Sequence, residues 1–125
     1  MRQIRSILAL ILTALAFTTS SSFATDNHPD PIKIKPYSLF SIRLRSNPTT
    51  GYSWKVSKIS DKRIVKVVSS KYEADHPVLS GSGGQEIWSF KALRPGRARI
   101  EMSYQRPWEK GVPPAMTKTF NVRVR

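Results

Sequence analysis

Beyond residue 31, apolar and polar positions alternate along most of the chain. Phe40, Ile42 and Leu44 alternate with Ser41, Arg43 and Arg45, Tyr52, Trp54 and Val56 with Ser53 and Lys55, and Trp88, Phe90 and Ala92 with Ser89 and Lys91. Ala98, Ile100, Met102 and Tyr104 alternate with Arg97, Arg99, Glu101 and Ser103, and Phe120, Val122 and Val124 close the chain. A period of two places one side of each segment in a core and the other in water, so each reads as a half-buried strand. Ile32 to Ile34 and Ile64 to Tyr72 complete a set of about seven strands, starting near Ile32, Ser38, Tyr52, Arg63, Gln85, Arg97 and Met116. No stretch carries a helical repeat. The pattern predicts an all-β fold, an immunoglobulin-like antiparallel sandwich in one domain.

The start of the chain follows other rules. Arg2 and Arg5 precede an apolar run from Ile7 to Phe17, and small residues stand at Ser22 and Ala24. This is the layout of a secretory signal cut after Ala24. The run is too short to span a bilayer. Residues 1–24 are therefore expected to be a signal peptide, 25–31 ("TDNHPDP") a flexible tether, and 32–125 the folded domain. The mature chain is expected to be exported, periplasmic or secreted, and monomeric.

Strand order decides where the loops lie. If successive strands run in opposite directions, the links "SNPTTG" (46–51), "EADHPVLSGSGG" (73–84) and "RPWEKGVPPA" (106–115) emerge at one end of the sandwich. The "LRPGR" link at the other end places Pro95 and Gly96 at the centre of an expected type II turn. Three unusual loops held side by side on a rigid scaffold mark a candidate binding surface.

In the first, Pro48 fixes one φ angle and biases Asn47 toward extended backbone, Asn47 can bond its own backbone, and Gly51 can take a positive φ. Every choice restrains Thr49 and Thr50. In the second, Gly81, Ser82, Gly83 and Gly84 lack the Gly-Lys-Ser/Thr ending and following helix of a phosphate loop. They read either as a flexible linker or as backbone free to lie against another backbone. In the third, Arg106, Pro107 and Trp108 follow the last inward position of a strand. Trp108 is one more core residue by parity, or a rigid contact residue by its proline-rich surroundings.

Composition narrows the chemistry. No cysteine is present, which removes thiol nucleophiles, thiolate ligands and disulfides. The histidines are His28 and His76; His76 beside Asp75 is the one pair resembling a hydrolytic dyad, and two scattered histidines make no metal site. No enzyme activity, cofactor or metal is expected. Removing Arg2 and Arg5 from the 21 Lys and Arg leaves 19 against eight acidic residues, a net charge of +11. Arg43, Arg45, Arg97, Arg99, Arg123 and Arg125 fall on outward positions. A second reading is therefore an exported basic module for nucleic acid or an anionic envelope surface.

The three loop motifs in this order, "NPTTGYSW", "GSGG" and "RPW", resemble the chagasin family of cysteine peptidase inhibitors, whose pattern is NPTTG-x-x-W, G-x-G-G and R-P-W/F. The resemblance covers essentially the whole mature chain. It implies a reversible, uncut inhibitor of papain-like cysteine proteases, with nucleic acid not expected as a partner. Asn47, Pro48, Thr49, Thr50 and Gly51 would enter the active-site cleft. Gly81 to Gly84, with the residues leading into them, would lie along one side and Arg106 to Trp108 along the other. Trp54 would anchor the first loop from the core. The chain departs from the family at "IKIKPYSLF", where a glycine-containing acidic corner is common.

Overall fold

The computed structural model describes residues 30–125; the expected signal peptide, and the expected tether up to residue 29, lie outside the described residues. Seven strands form, β1 (Ile32–Ile34), β2 (Leu39–Ser46), β3 (Ser53–Ile59), β4 (Val65–Ala74), β5 (Gly84–Ala92), β6 (Gly96–Gln105) and β7 (Met116–Val124). They build two sheets, β1-β7-β6-β3 and β2-β5-β4. The alternation sets which faces meet. Ile42 and Leu44 of β2, Phe90 and Ala92 of β5, Ile100 and Met102 of β6, and Val122 and Val124 of β7 are all buried in one core. Phe40 and Phe90 stack with ring centroids 5.4 Å apart.

Four departures from the sequence reading have local causes. The β1–β7 pair is parallel, Ile32 facing Val122 and Ile34 facing Val124. Strands at opposite ends of a chain need no hairpin, so nothing forces them antiparallel. β4 begins at Val65 because the Asp61 carboxylate accepts from the Arg63 N–H at 2.9 Å and Ile64 N–H bonds the Asp61 carbonyl at 3.2 Å, which holds residues 61–64 in a turn. The Arg94–Pro95 link is a bend without the type II geometry, since Gly96 has φ 146° and already pairs with Val124. Bulges at Ser57 in β3 and Val68 in β4 shift the register by one residue and break the alternation there.

Candidate functional site

The first loop leaves β2 as a single 3-10 turn, Pro48–Thr50. Asn47 caps it with φ −133° and ψ 92°, the extended conformation that a following proline favours. Its Oδ1 accepts from the Thr49 N–H at 3.2 Å and from Thr49 Oγ1 at 2.6 Å. Thr50 Oγ1 and the Thr50 N–H both donate to the Asn47 carbonyl, at 2.6 and 3.1 Å. Gly51, at φ 83°, closes the turn through its N–H to the Pro48 carbonyl at 2.9 Å. The threonines are exposed at the tip, and their hydroxyls are already committed to the loop.

The other two loops hold this turn from both sides. Asn47 Nδ2 donates to the Gly81 carbonyl at 3.1 Å. Gly83 comes so close that a Cβ there would stand 3.0 Å from the Ser46 carbonyl. The Asp75 carboxylate takes both arms of Arg45, at 2.9 and 2.6 Å, tying the foot of the second loop to β2. On the opposite side Arg106 Nε donates to the Thr50 carbonyl at 3.0 Å, Arg106 Nη1 bonds Glu109 at 3.0 Å, and the guanidinium lies 4.5 Å over the Tyr52 ring. Trp108 is 65% exposed, with one edge of its ring against Gly51.

Beneath the turn runs an aromatic column. Tyr52 stacks on Tyr104 at 5.3 Å, and Tyr104 meets Trp54 at 5.0 Å. The Tyr104 hydroxyl accepts from the Asn47 N–H at 3.0 Å, and Trp54 Nε1 donates to the Arg45 carbonyl at 2.9 Å. Trp54 is 3% exposed, in the core as its register required. All twelve residues anticipated for the surface thus fall in one connected cluster at one end of the sandwich. Gly84 is its one buried member, and the Ser82 hydroxyl turns back to the Leu79 carbonyl at 2.7 Å.

Sequence reasoning missed Tyr104, which was legible only as an inward strand position. Arg106 was anticipated as a grip beside the cleft, and the structure instead shows it bonding inward to Thr50 and Glu109. The residues leading into the glycines were anticipated without being named. Val78 and Leu79, 66% and 64% exposed, lead into the glycines. Their signal was two adjacent apolar residues in an otherwise polar loop.

Gly51 carries two demands at once. A left-handed φ strains any residue with a Cβ, and a Cβ here would overlap Trp108 Cη2. Gly51→Ala should therefore cost about 1 to 3 kcal/mol, shared between stability and whatever the loops bind. Paired thermal melts and binding constants would read that split; an unchanged protein in both would remove Gly51 from the site.

The arrangement offers no hydrolytic chemistry. Asp75 is held by Arg45, so it does not orient His76 as a base. The hydrogen bonds from Arg45 hold the Asp75 carboxyl below its ordinary value of 3.8, with Coulombic attraction to Arg45 and His76 adding to the effect and desolvation opposing it. A lowered folded pKa stabilises above the unfolded value, and the contribution is lost as pH falls through the folded one. Any melting difference between wild type and Asp75→Asn should be constant from pH 7 to 5 and vanish in melts taken progressively below 3.8. A difference that disappears between pH 7 and 5 would assign it to another group. Among the described residues, no group of three or more His, Asp or Glu side chains is placed to hold a metal.

Comparison with known proteins gives the cluster a context. The chain matches the family described as "Chagasin family peptidase inhibitor I42" over residues 33–124. It is 33% identical to amoebiasin-2 of Entamoeba histolytica over 87 residues, covering 70% of this chain and 71% of that protein. With amoebiasin-1 of the same organism it shares 32% over 103 residues, covering 82% and 96%. Among solved structures, the cysteine protease inhibitor EhICP2 from Entamoeba histolytica superposes with a TM-score of 0.65 at 31% identity, covering 76% of this chain and 86% of that one.

Proposed function

Since the chain belongs to the chagasin family of peptidase inhibitors, we propose that it blocks papain-like cysteine proteases reversibly by setting the Asn47–Gly51 turn into the active-site cleft, as an exported monomer. The observation that carries this reading is the double clamp on that turn. Gly81 receives Asn47 on one side, and Arg106 with Trp108 holds Thr50 and Gly51 on the other.

A protease of this kind cuts a chain that lies extended, with the scissile carbonyl turned toward donors that stabilise its developing negative charge. The Asn47–Gly51 turn offers neither condition. Its backbone is a 3-10 turn, and the carbonyls of Asn47, Pro48 and Thr50 accept hydrogen bonds from within the protein. Thr49 and Thr50 fill the cleft without presenting a peptide bond for attack. Because the turn is ordered before binding, little conformational entropy is lost on association. Trp108, with Val78 and Leu79, supplies apolar area on the two flanks. Arg106 acts from behind as a strut, its guanidinium shared among Thr50, Glu109 and Tyr52. An interface of standard size, about 1,600 Å² in total, is expected.

The test is a titration of papain at fixed substrate, with trypsin in parallel. Tight inhibition of papain alone is expected; equal inhibition of both, or of neither, would refute the assignment. Salt separates steering from holding. The net charge of +11 left after Arg2 and Arg5 are removed with the signal acts at a distance, while the tips are largely neutral. Raising salt should slow association and leave dissociation nearly unchanged in rapid-mixing and surface-binding kinetics. Dissociation that accelerates with salt while association stays flat would contradict this.

A further inference from the structure

The six outward arginines anticipated from the sequence do not share one face. Arg43 and Arg45, on β2, are paired with Glu73 and Asp75. Arg97, Arg99 and Arg123 lie on the other sheet, and the ion pairs among the described residues, Arg43–Glu73, Arg45–Asp75, Arg63–Asp61, Lys71–Glu73 and Arg106–Glu109, leave them out. Their register makes a grid. Lys33 faces Arg123 across β1 and β7, and Arg123 faces Arg97 across β7 and β6. Neighbours in that row stand about 4.8 Å apart, and Arg99 lies about 6.7 Å along the strand from Arg97. Like charges placed directly opposite destabilise a sheet. The Arg123 guanidinium is pushed below its ordinary value, first by Arg125 beyond the strand end, then by desolvation and, least, by the facing Arg97.

The grid borders an open depression of about 600 Å³ lined by Arg97, Arg99, Arg123, Ser60 and Asn121, among others. Ser60 Oγ accepts from the Arg99 N–H at 2.8 Å, which leaves the hydroxyl hydrogen to donate to a ligand. We infer that this face binds a linear sulfated polysaccharide through Arg97, Arg99 and Arg123. Each guanidinium fork can engage two oxygens of one tetrahedral oxyanion. A sulfated glycan carries such groups roughly one sugar ring apart, comparable to the grid. Nucleic acid fits less well, because the lining of the depression carries no aromatic ring on which a base would stack. A bilayer fits less well too. The exposed large hydrophobics lie on other elements, apart from Met116 at the far end of β7, so no apolar wedge accompanies the charges. Arg97 and Arg123 sit near the start of β6 and the end of β7, away from the three loops, so both surfaces can be occupied together.

The experiment measures heparin binding to the intact protein at about 150 mM salt. Wild type is compared with Arg97→Gln/Arg123→Gln and with Lys66→Gln/Lys91→Gln, which removes the same charge from the other sheet. The arginine pair should weaken heparin binding about tenfold or more and the lysine pair by less than about threefold, with papain inhibition and melting alike in the two variants, each of which loses two charges that face one another across a sheet. Should the arginine pair not fold, Arg99→Gln alone is expected to weaken binding by about threefold. Equal weakening by both pairs would reduce the effect to net charge and overturn the proposal. So would absence of heparin binding, or single-stranded DNA displacing heparin at a lower concentration than unlabelled heparin does.

Discussion

Replacing Trp54 by alanine is expected to destabilise the fold by about 3 to 5 kcal/mol. The indole is 3% exposed, packed on Tyr104 at 5.0 Å, and joined through Nε1 to the Arg45 carbonyl. It stands on β3 and bonds β2, so it bridges the two sheets at the root of the first loop. Alanine leaves a cavity the sandwich cannot fill and an orphaned carbonyl beside it. Trp54→Phe keeps most of the packing and loses the hydrogen bond with a small part of the buried volume, so it should cost less, about 1 to 2 kcal/mol. A domain of this size has about 5 to 15 kcal/mol in all, so the alanine variant could lie near its unfolding threshold. Urea titrations of the three proteins would show the order wild type, Phe, Ala. An alanine variant as stable as wild type would show that Trp54 does not carry the junction.

Trp108→Ala should do the opposite, costing about 2 kcal/mol or more of protease binding, roughly thirtyfold in affinity, with little loss of stability. With 65% of its surface free, the ring contributes little to the core. Its edge lies against Gly51, and the rest of the ring is open to a partner. Inhibition constants and melts on the same preparation decide between the roles. A variant that melts far below wild type yet inhibits normally while folded would return Trp108 to the core.

How the two tryptophans differ was partly legible in the sequence. Trp54 alternates with Tyr52 and Val56, and periodicity reports burial directly. Trp108 lies beyond a strand end, where parity no longer constrains a side chain, and its exposure emerged only from the fold. The same limit applies elsewhere. The inward series Phe40, Ile42, Leu44 and Ile100, Met102 was readable because burial repeats every second residue. β4 was harder to bound, because an edge strand exposed along nearly its whole length carries no such signal. The stiffness of Asn47–Gly51 could be read from Pro48 and Gly51, since those residues restrict the backbone by themselves. The clamps could not. Asn47 reaches Gly81 across 34 residues and Arg106 reaches Thr50 across 56, and no local pattern encodes such partners. The Tyr104 hydroxyl beneath Asn47, likewise, has a role set by what the fold brings above it.

A pre-bent turn that occupies the cleft should block the protease without being cut. Mixing the protein with an equimolar amount of papain, holding the mixture for many turnovers of an ordinary substrate, and measuring both residual activity and intact mass tests it in one sample. Full loss of activity near one equivalent, with the chain recovered whole, is the predicted result. Activity that returns as fragments ending within Asn47–Gly51 accumulate would contradict it, because the turn would then be a slow substrate.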